Sequence, residues 1–315
     1  LLQAFNLVVG TMIYIPFIRQ SERVQDREFL GKIKRLEASM NEDERSVWVR
    51  DFRWNTYENQ QTAKLLASDL EYALSKGALE LYYQPQVKRD GTLYGCEALL
   101  RWNYMGQGFV YPPLIIALAV QGDFIGTLGM YIVEKACRDM AGARTQAGCP
   151  VSFSVNILPL ELEDPSFADQ VLKILKDTGV EGSNLTIELT EQVALNPGPN
   201  LERQLEKLRE SRVRISMDDF GMGHGSLNYL NSAHYDEVKI DGSLIRRLPE
   251  HTQTCELVGN IMNMSRILGV NTVAECVETP EQIQMLEKLG CSIYQGYYYS
   301  RPLPRDAFIE YVKGL

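Results

Sequence analysis

Strand-like and helix-like stretches alternate along this sequence about eight times over roughly 250 residues, a pattern that few folds satisfy. Extended candidates fall at LELYYQP, YGCEALLRW, VSFSVNI, LTIELTE, RISMDDF, DEVKID, NTVAECVE and SIYQGYYYS. Amphipathic helical stretches separate most of them, at Ile125–Ala147, Ser166–Thr178, Asn200–Ser211, Thr252–Leu268 and Pro280–Leu289. The pattern predicts an α/β chain folded as a (βα)8 TIM-like barrel, with the doubly wound parallel sheet as its competitor. One connection breaks the rule. Only Val87–Leu93, with an Asp90-Gly91 turn, joins the first two strands, whereas a parallel crossover needs a dozen or more residues. One of the two is therefore expected to run antiparallel, near the start of the barrel. Thr279-Pro280-Glu281 supplies a helix start, with Thr as the cap and Pro in the first turn.

The balance of residues is that of a globular enzyme or binding domain, with 45% hydrophobic and 23% charged positions. A net charge of -9 argues against a nucleic-acid polymer as partner, because engaging many phosphates requires a basic field. A local basic site for a small nucleotide stays open. The six cysteines, at 96, 137, 149, 255, 276 and 291, show neither a CxxC pair nor metal-ligand spacing, and read as buried thiols in a reducing compartment.

The N-terminus departs from this picture. Leu1–Ile18 is apolar and just long enough to cross a bilayer. Arg19, Arg23, Arg27, Lys32, Lys34 and Arg35 follow it, a basic flank that favours the cytoplasmic side for what comes next. The chain starts at Leu1 rather than Met, and the expectation is the end of a transmembrane helix of a longer protein, with a buried or interfacial helix as the alternative. The run YIPFIRQSE resembles the C-terminal end of the membrane subunit of phosphotransferase-system sugar transporters. Residues 19–63 are expected to form a linker, partly helical through Val24, Phe29, Leu30, Ile33 and Leu36, and residues 64–315 the barrel domain. That domain would lie at the cytoplasmic face of the membrane.

Barrel enzymes place their chemistry at the C-terminal ends of strands, and there the sequence is consistently polar. Glu97 lies in the second strand, Asn156 ends the third, Glu188 and Glu191 the fourth, and Asp218-Asp219 the fifth. Lys239 and Asp241 end the sixth, Glu275 and Glu278 the seventh, and Gln295 sits in the eighth. A single acid at a strand end reads as a solvated carboxylate. Five or more converging on one mouth would repel one another unless a cation neutralised them. Oxygen ligands without a Cys or His cluster indicate Mg²⁺ or Mn²⁺ rather than Zn²⁺, and the adjacent Asp218 and Asp219 allow a second ion beside the first.

At these residues the chain resembles the EAL family of cyclic di-GMP phosphodiesterases. EALLRW at Glu97 carries the naming motif, with YYQP at Tyr82, SVN at Ser154, IELTE at Ile187, DDFGMG at Asp218, VKID at Val238, AECVET at Ala274 and QGYYYSRPL at Gln295 in the family's order. The resemblance implies that Glu97, Asn156, Glu188 and Asp218 bind a first metal ion, Asp219 a second, and that Glu275 is a further metal-site acid. It implies that Lys239 positions the catalytic water, that Gln295 supports the water and metal shell, and that Glu191 holds the loop after the fifth strand. Arg101 would contact a substrate phosphate, and Gln84 and Pro302 the dinucleotide. The implied reaction is in-line attack of metal-activated water on one phosphodiester of cyclic di-GMP, giving linear pGpG, in a domain that forms a homodimer.

The loop after Asp219 departs from the family, with Met222 where Thr is usual, His224 for Tyr and Gly225 for Ser. Cys276 stands where the family has Gly and reads as a packing variation. Two functions follow: a hydrolase, favoured by the intact ligand set, or a non-hydrolysing cyclic di-GMP receptor that regulates an attached membrane protein, favoured by the loop. No GGDEF-type motif for synthesis of the dinucleotide is present.

Overall fold

The computed structural model describes residues 57–104, 109–110, 112–148, 151–190, 199–221 and 235–315. In chain order the elements begin with α1 (Tyr57–Ser75), β1 (Glu80–Lys88), β2 (Leu93–Asn103), β3 (Phe109–Val110), α2 (Pro112–Gln121) and α3 (Ile125–Ala147). There follow β4 (Phe153–Asn156), α4 (Pro159–Leu162), α5 (Phe167–Thr178), β5 (Leu185–Thr190), α6 (Pro199–Glu210), β6 (Arg214–Phe220) and β7 (Glu237–Ile240). The chain ends with α7 (Gly242–Ile245), α8 (Thr252–Leu268), β8 (Asn271–Ala274), α9 (Pro280–Leu289), β9 (Ile293–Gln295), β10 (Leu303–Pro304) and α10 (Arg305–Lys313). The candidate membrane segment and most of the expected linker lie outside the described residues. Among the described residues no helix is long and apolar enough to cross a membrane. The helix α1 starts inside the expected linker and runs across the boundary placed at residue 63.

The chain divides into two compact units, one of residues up to Glu80 with Leu100–Leu128, the other of Leu81–Leu99 with Gly129–Leu315. In the smaller unit α1 packs on α2. The buried positions of α1, Ala67, Leu70 and Leu74, recur at helical spacing. Sequence periodicity does not announce α2, because PPLIIALAVQ is apolar nearly all round; it buries Leu114, Ile115, Leu118 and Ala119. Trp102 is sealed by the edge of Tyr104 at 5.1 Å, and the Tyr104 hydroxyl donates to Asp69 Oδ2 at 3.0 Å.

The larger unit is the barrel. Strands follow in the order β1-β9-β8-β7-β6-β5-β4-β2, and β2 pairs back with β1, so eight strands close on themselves. From β2 round to β9 the pairings are parallel, whereas β1 meets β9 antiparallel with Gln86 opposite Gln295. The antiparallel strand expected near the start is therefore β1. Its reversal is built by the Asp90-Gly91 turn, where Asp90 Oδ1 accepts from the Thr92 amide at 3.0 Å and its hydroxyl at 2.6 Å, and Gly91 takes φ 84. From outside, the hydroxyl of the fully buried Tyr83 donates to Asp139 Oδ2 on α3 at 2.6 Å. The helix α9 has the expected Thr279 cap, which accepts from the Gln282 amide while the Gln282 side chain accepts from the Thr279 amide at 3.0 Å.

Register decides where the polar residues fall. Asn156 pairs with Glu188 across β4 and β5, and Thr190 with Asp218 across β5 and β6, so these side chains reach the same end of the barrel. At the opposite end the buried Glu237 is satisfied by the protein itself, accepting from the Tyr94 hydroxyl at 2.7 Å and the Ser216 hydroxyl at 3.1 Å. The eighth strand is shorter than SIYQGYYYS suggested: it stops at Gln295, because Gly296 turns the chain against the backbone of Val277.

Candidate active site

Lys239, on β7, is fully buried, and its Nζ lies among four carboxylates contributed by different parts of the barrel. It stands 2.7 Å from Glu275 Oε1, 2.9 Å from Glu188 Oε2, 3.2 Å from Asp218 Oδ1 and 3.3 Å from Glu97 Oε2. The acids at the strand ends point to a metal as the neutralising cation; the structure shows that a side chain supplies the first positive charge. Burial pulls the lysine ammonium down, but the surrounding Asp218, Glu188, Glu275 and Glu97 outweigh it and hold its pKa well above the usual value. Burial pushes Glu97 up as well, yet Lys239 and the amides of Gln295 and Asn156 overcome it, and the net direction is down. Glu188 and Glu275 go the other way. Burial raises both, with Glu97 and Asp218 adding repulsion that Lys239 does not cancel.

Glu97 is an acceptor held by three donors. Asn156 Nδ2 reaches Oε1 at 2.7 Å, and Gln295 Nε2 reaches Oε2 at 2.6 Å beside the Lys239 ammonium. Gln86, which sequence reasoning missed, in turn donates to Gln295 Oε1 at 2.9 Å. The signal was present in β1, where Gln84 and Gln86 recur at strand period and are both buried in the middle of the strand. Gln84 accepts from Gln295 Nε2 at 3.3 Å and donates to the Ser300 carbonyl at 3.2 Å.

Asp218 and Asp219 are adjacent, and in a regular strand would face opposite ways. A register shift between Met217 and Phe220, with Asp219 at φ 56, brings both carboxylates to one side. Asp218, Asp219 and Glu275 each offer an oxygen within 4.8 Å of the others. Asp219 keeps its solvent exposure, yet partial burial together with Asp218 and Asp241 pushes its carboxyl up to about 6.

The donor set fits a hard divalent cation. Four carboxylates face one ammonium, and two of their buried oxygens, Glu188 Oε1 and Asp218 Oδ1, accept no hydrogen bond; the latter lies within ion-pair distance of Nζ but at an angle that forms none.

Other expected positions fall elsewhere. Asp241 caps α7 by accepting from the Ser243 amide at 2.8 Å. Glu278 is exposed, and its backbone amide donates to the side chain of Gln282 at 2.7 Å. Arg101 belongs to the smaller unit, where Nη1 donates to the Leu100 carbonyl at 2.9 Å. Pro302 is half-buried two residues past Ser300. Cys276 takes φ 52, and its Sγ accepts from Arg246 Nη2 at 3.2 Å. Glu191 and the loop with Met222, His224 and Gly225 lie outside the described residues.

Gln295 is held in place by the residue after it. A Cβ on Gly296 would overlap the backbone nitrogen and oxygen of Val277. Gly296→Ala is expected to lower the unfolding free energy by about 1–3 kcal/mol, measured by urea denaturation, because backbone rather than a pliable side chain must move.

Most of the chain is similar to known proteins. A family model described as "EAL domain" matches residues 67–302. The Oxygen sensor protein DosP of Escherichia coli is 36% identical over 243 residues, which is 77% of this chain and 30% of that protein. The Cyclic di-GMP phosphodiesterase NbdA of Pseudomonas aeruginosa is 34% identical over 249 residues, 79% of this chain and 32% of that protein. This chain thus spans about a third of the length of such relatives. Among solved structures, "PaMucR Phosphodiesterase, c-di-GMP complex" superposes with a TM-score of 0.73 at 34% identity, covering 78% of this chain and 99% of that one. The closed barrel with one antiparallel strand, the acids gathered around Lys239 and a match over most of the sequence agree: the chain belongs to the EAL domain family.

Proposed function

We propose that this chain hydrolyses cyclic di-GMP to linear pGpG. The observation that carries the reading is the convergence of Glu97, Glu188, Asp218 and Glu275 on Lys239, with carboxylate oxygens left over. A relative named a cyclic di-GMP phosphodiesterase and a neighbour solved in complex with c-di-GMP supply the substrate. Glu97, Asn156, Glu188, Asp218, Asp219 and Glu275 are the residues that would hold Mg²⁺ or Mn²⁺, as one or two ions. Bound there, such ions would neutralise phosphate charge and make water a better nucleophile.

The chain's own residues do the rest. Lys239 gathers the acids and donates to the oxygen of the attacking water. Gln295, oriented by Gln86, and Asn156 fix Glu97, so that its charge faces the ions rather than solvent. Arg101 contacts a substrate phosphate through its planar fork, and Gln84 and Pro302 contact the dinucleotide. The reading extends to the setting, a homodimeric barrel at the cytoplasmic face of a membrane; its attachment to a longer protein is in line with relatives about three times its length.

The test is incubation of the full chain with cyclic di-GMP and Mg²⁺ or Mn²⁺, with pGpG followed by chromatography. Metal-dependent pGpG is the expected result. Tight binding with no product under either metal would instead assign the receptor reading, to which the substitutions at Met222, His224 and Gly225 point.

A further inference from the structure

The turn that leaves β4 carries a buried carboxyl group outside the acid cluster. Glu161, in α4, is 5% exposed. Its Oε2 accepts from the Leu158 amide at 2.8 Å, and its Oε1 is buried with no hydrogen-bond partner. The residue at the cap is Leu158, whose side chain has no acceptor, so Glu161 performs the glutamate half of a capping box alone. Room for the carboxyl comes from Gly129 on α3, where a Cβ would overlap Oε1.

Three successive residues of this turn are each tied down by a glutamate. The Asn156 side chain donates to Glu97 Oε1 at 2.7 Å, the Ile157 amide to the Glu188 carbonyl at 3.1 Å, and the Leu158 amide to Glu161. Two ties lead into the acid site, and the third leads to a residue that the proposed chemistry does not use. We propose that Glu161 is a positioning residue for that site: by holding the Leu158 amide it fixes the turn that presents Asn156 to Glu97. The inference rests on the reading of the acid cluster given above.

Its surroundings say which form of the carboxyl group the fold favours. One turn either side of Gly129, α3 offers Ile125, Gly126, Ile132 and Val133, none of them charged. The elements α5 and α6 bring Asp169, Glu202 and Arg203, and the chain beyond α4 brings Glu163 and Asp164; all are exposed, and none pairs with Glu161 among the described residues. Burial, only partly offset by the Leu158 amide, pushes the Glu161 carboxyl up from 4.5 to about 7. Folding therefore takes up a proton between those values. The stability present below pH 4.5 is lost as pH rises through about 7, because the carboxylate is buried without a cation among the described residues and the Leu158 amide offsets only part of that cost.

Glu161→Gln keeps an acceptor for the Leu158 amide and cannot ionise; Glu161→Ala removes the acceptor. Three readouts test the proposal on the full chain: Tm at pH 5 and pH 8, hydrogen exchange of the amides of 157 and 158, and kcat and KM for cyclic di-GMP. Wild type should lose about 5–10 °C in Tm between the two pH values, a loss that Glu161→Gln largely removes. Glu161→Ala should speed exchange at both amides and lower kcat about 10-fold with little change in KM, and Glu161→Gln should restore both. Should Glu161→Ala fail to fold, the comparison of wild type with Glu161→Gln decides. Unchanged exchange in Glu161→Ala, or a Tm profile that Glu161→Gln leaves as steep as wild type, overturns the proposal. If the chain turns over no cyclic di-GMP at all, exchange and Tm still judge Glu161, and the hydrolase reading fails separately.

Discussion

Lys239→Met, assayed without divalent cations, is expected to lose about 3–5 kcal/mol of unfolding free energy, the penalty of leaving buried charge without its partner. Methionine matches the lysine stem and fills most of its volume, so a cavity accounts for little of the effect. What remains is four carboxylates, from Glu97, Glu188, Asp218 and Glu275, that had shared one ammonium. Adding Mn²⁺ should recover part of the loss, because a divalent ion takes up the uncompensated charge. It should not recover hydrolysis, because the donor to the attacking water is gone. Urea denaturation with EDTA and with Mn²⁺, beside a pGpG assay, separates these effects. Equal stability of variant and wild type in EDTA would mean that the acids are held by something other than Lys239.

The second large effect concerns Glu97. Truncation to Ala should reduce pGpG formation by about 10³-fold or more, since it removes a carboxylate that would hold the cation on which the offset of phosphate charge depends. The substitutions can be ranked from the geometry. Glu97→Gln is isosteric, but its amide group would point a donor at Gln295, Lys239 or Asn156, all of which already donate. Gln should therefore be as damaging as Ala, while Asp, which keeps an acceptor-only carboxylate one methylene short, retains more activity. Mn²⁺ affinity measured by calorimetry should follow the same order. A Gln variant with near-native turnover would show that the charge of Glu97 is dispensable.

The barrel was legible because the alternation of periods is a global signal. The helices α8 and α9 occupy the residues their periodicity marked, and the short Asp90-Gly91 connection forced the antiparallel strand. The helix α2 was not legible, for a stretch that is apolar nearly all round has no polar face to mark its period. The acids at strand ends were visible as a set, but their partners were not. Nothing in one dimension separates Asp241, which caps a helix, from Asp218, whose Oδ1 lies 3.2 Å from Lys239. Gln86 matters through a contact with a residue 209 positions away, which no local pattern encodes, and Glu161 stands at the N3 position of a helix whose cap is Leu158 rather than a Ser or Thr that would have marked it.

The antiparallel seam also orders events in time. The Gln295 to Glu97 contact joins residues 198 apart, and Gln86 to Gln295 joins residues 209 apart. Such closures carry a large loop entropy and come late in folding. On a ribosome, β1 and the Glu97 strand emerge early with a vacant edge, which stays open until β9 has been made. The chain therefore cannot assemble a competent centre from a partial product of translation, and until β9 is made the flank of β1 is an open edge to which another strand could pair.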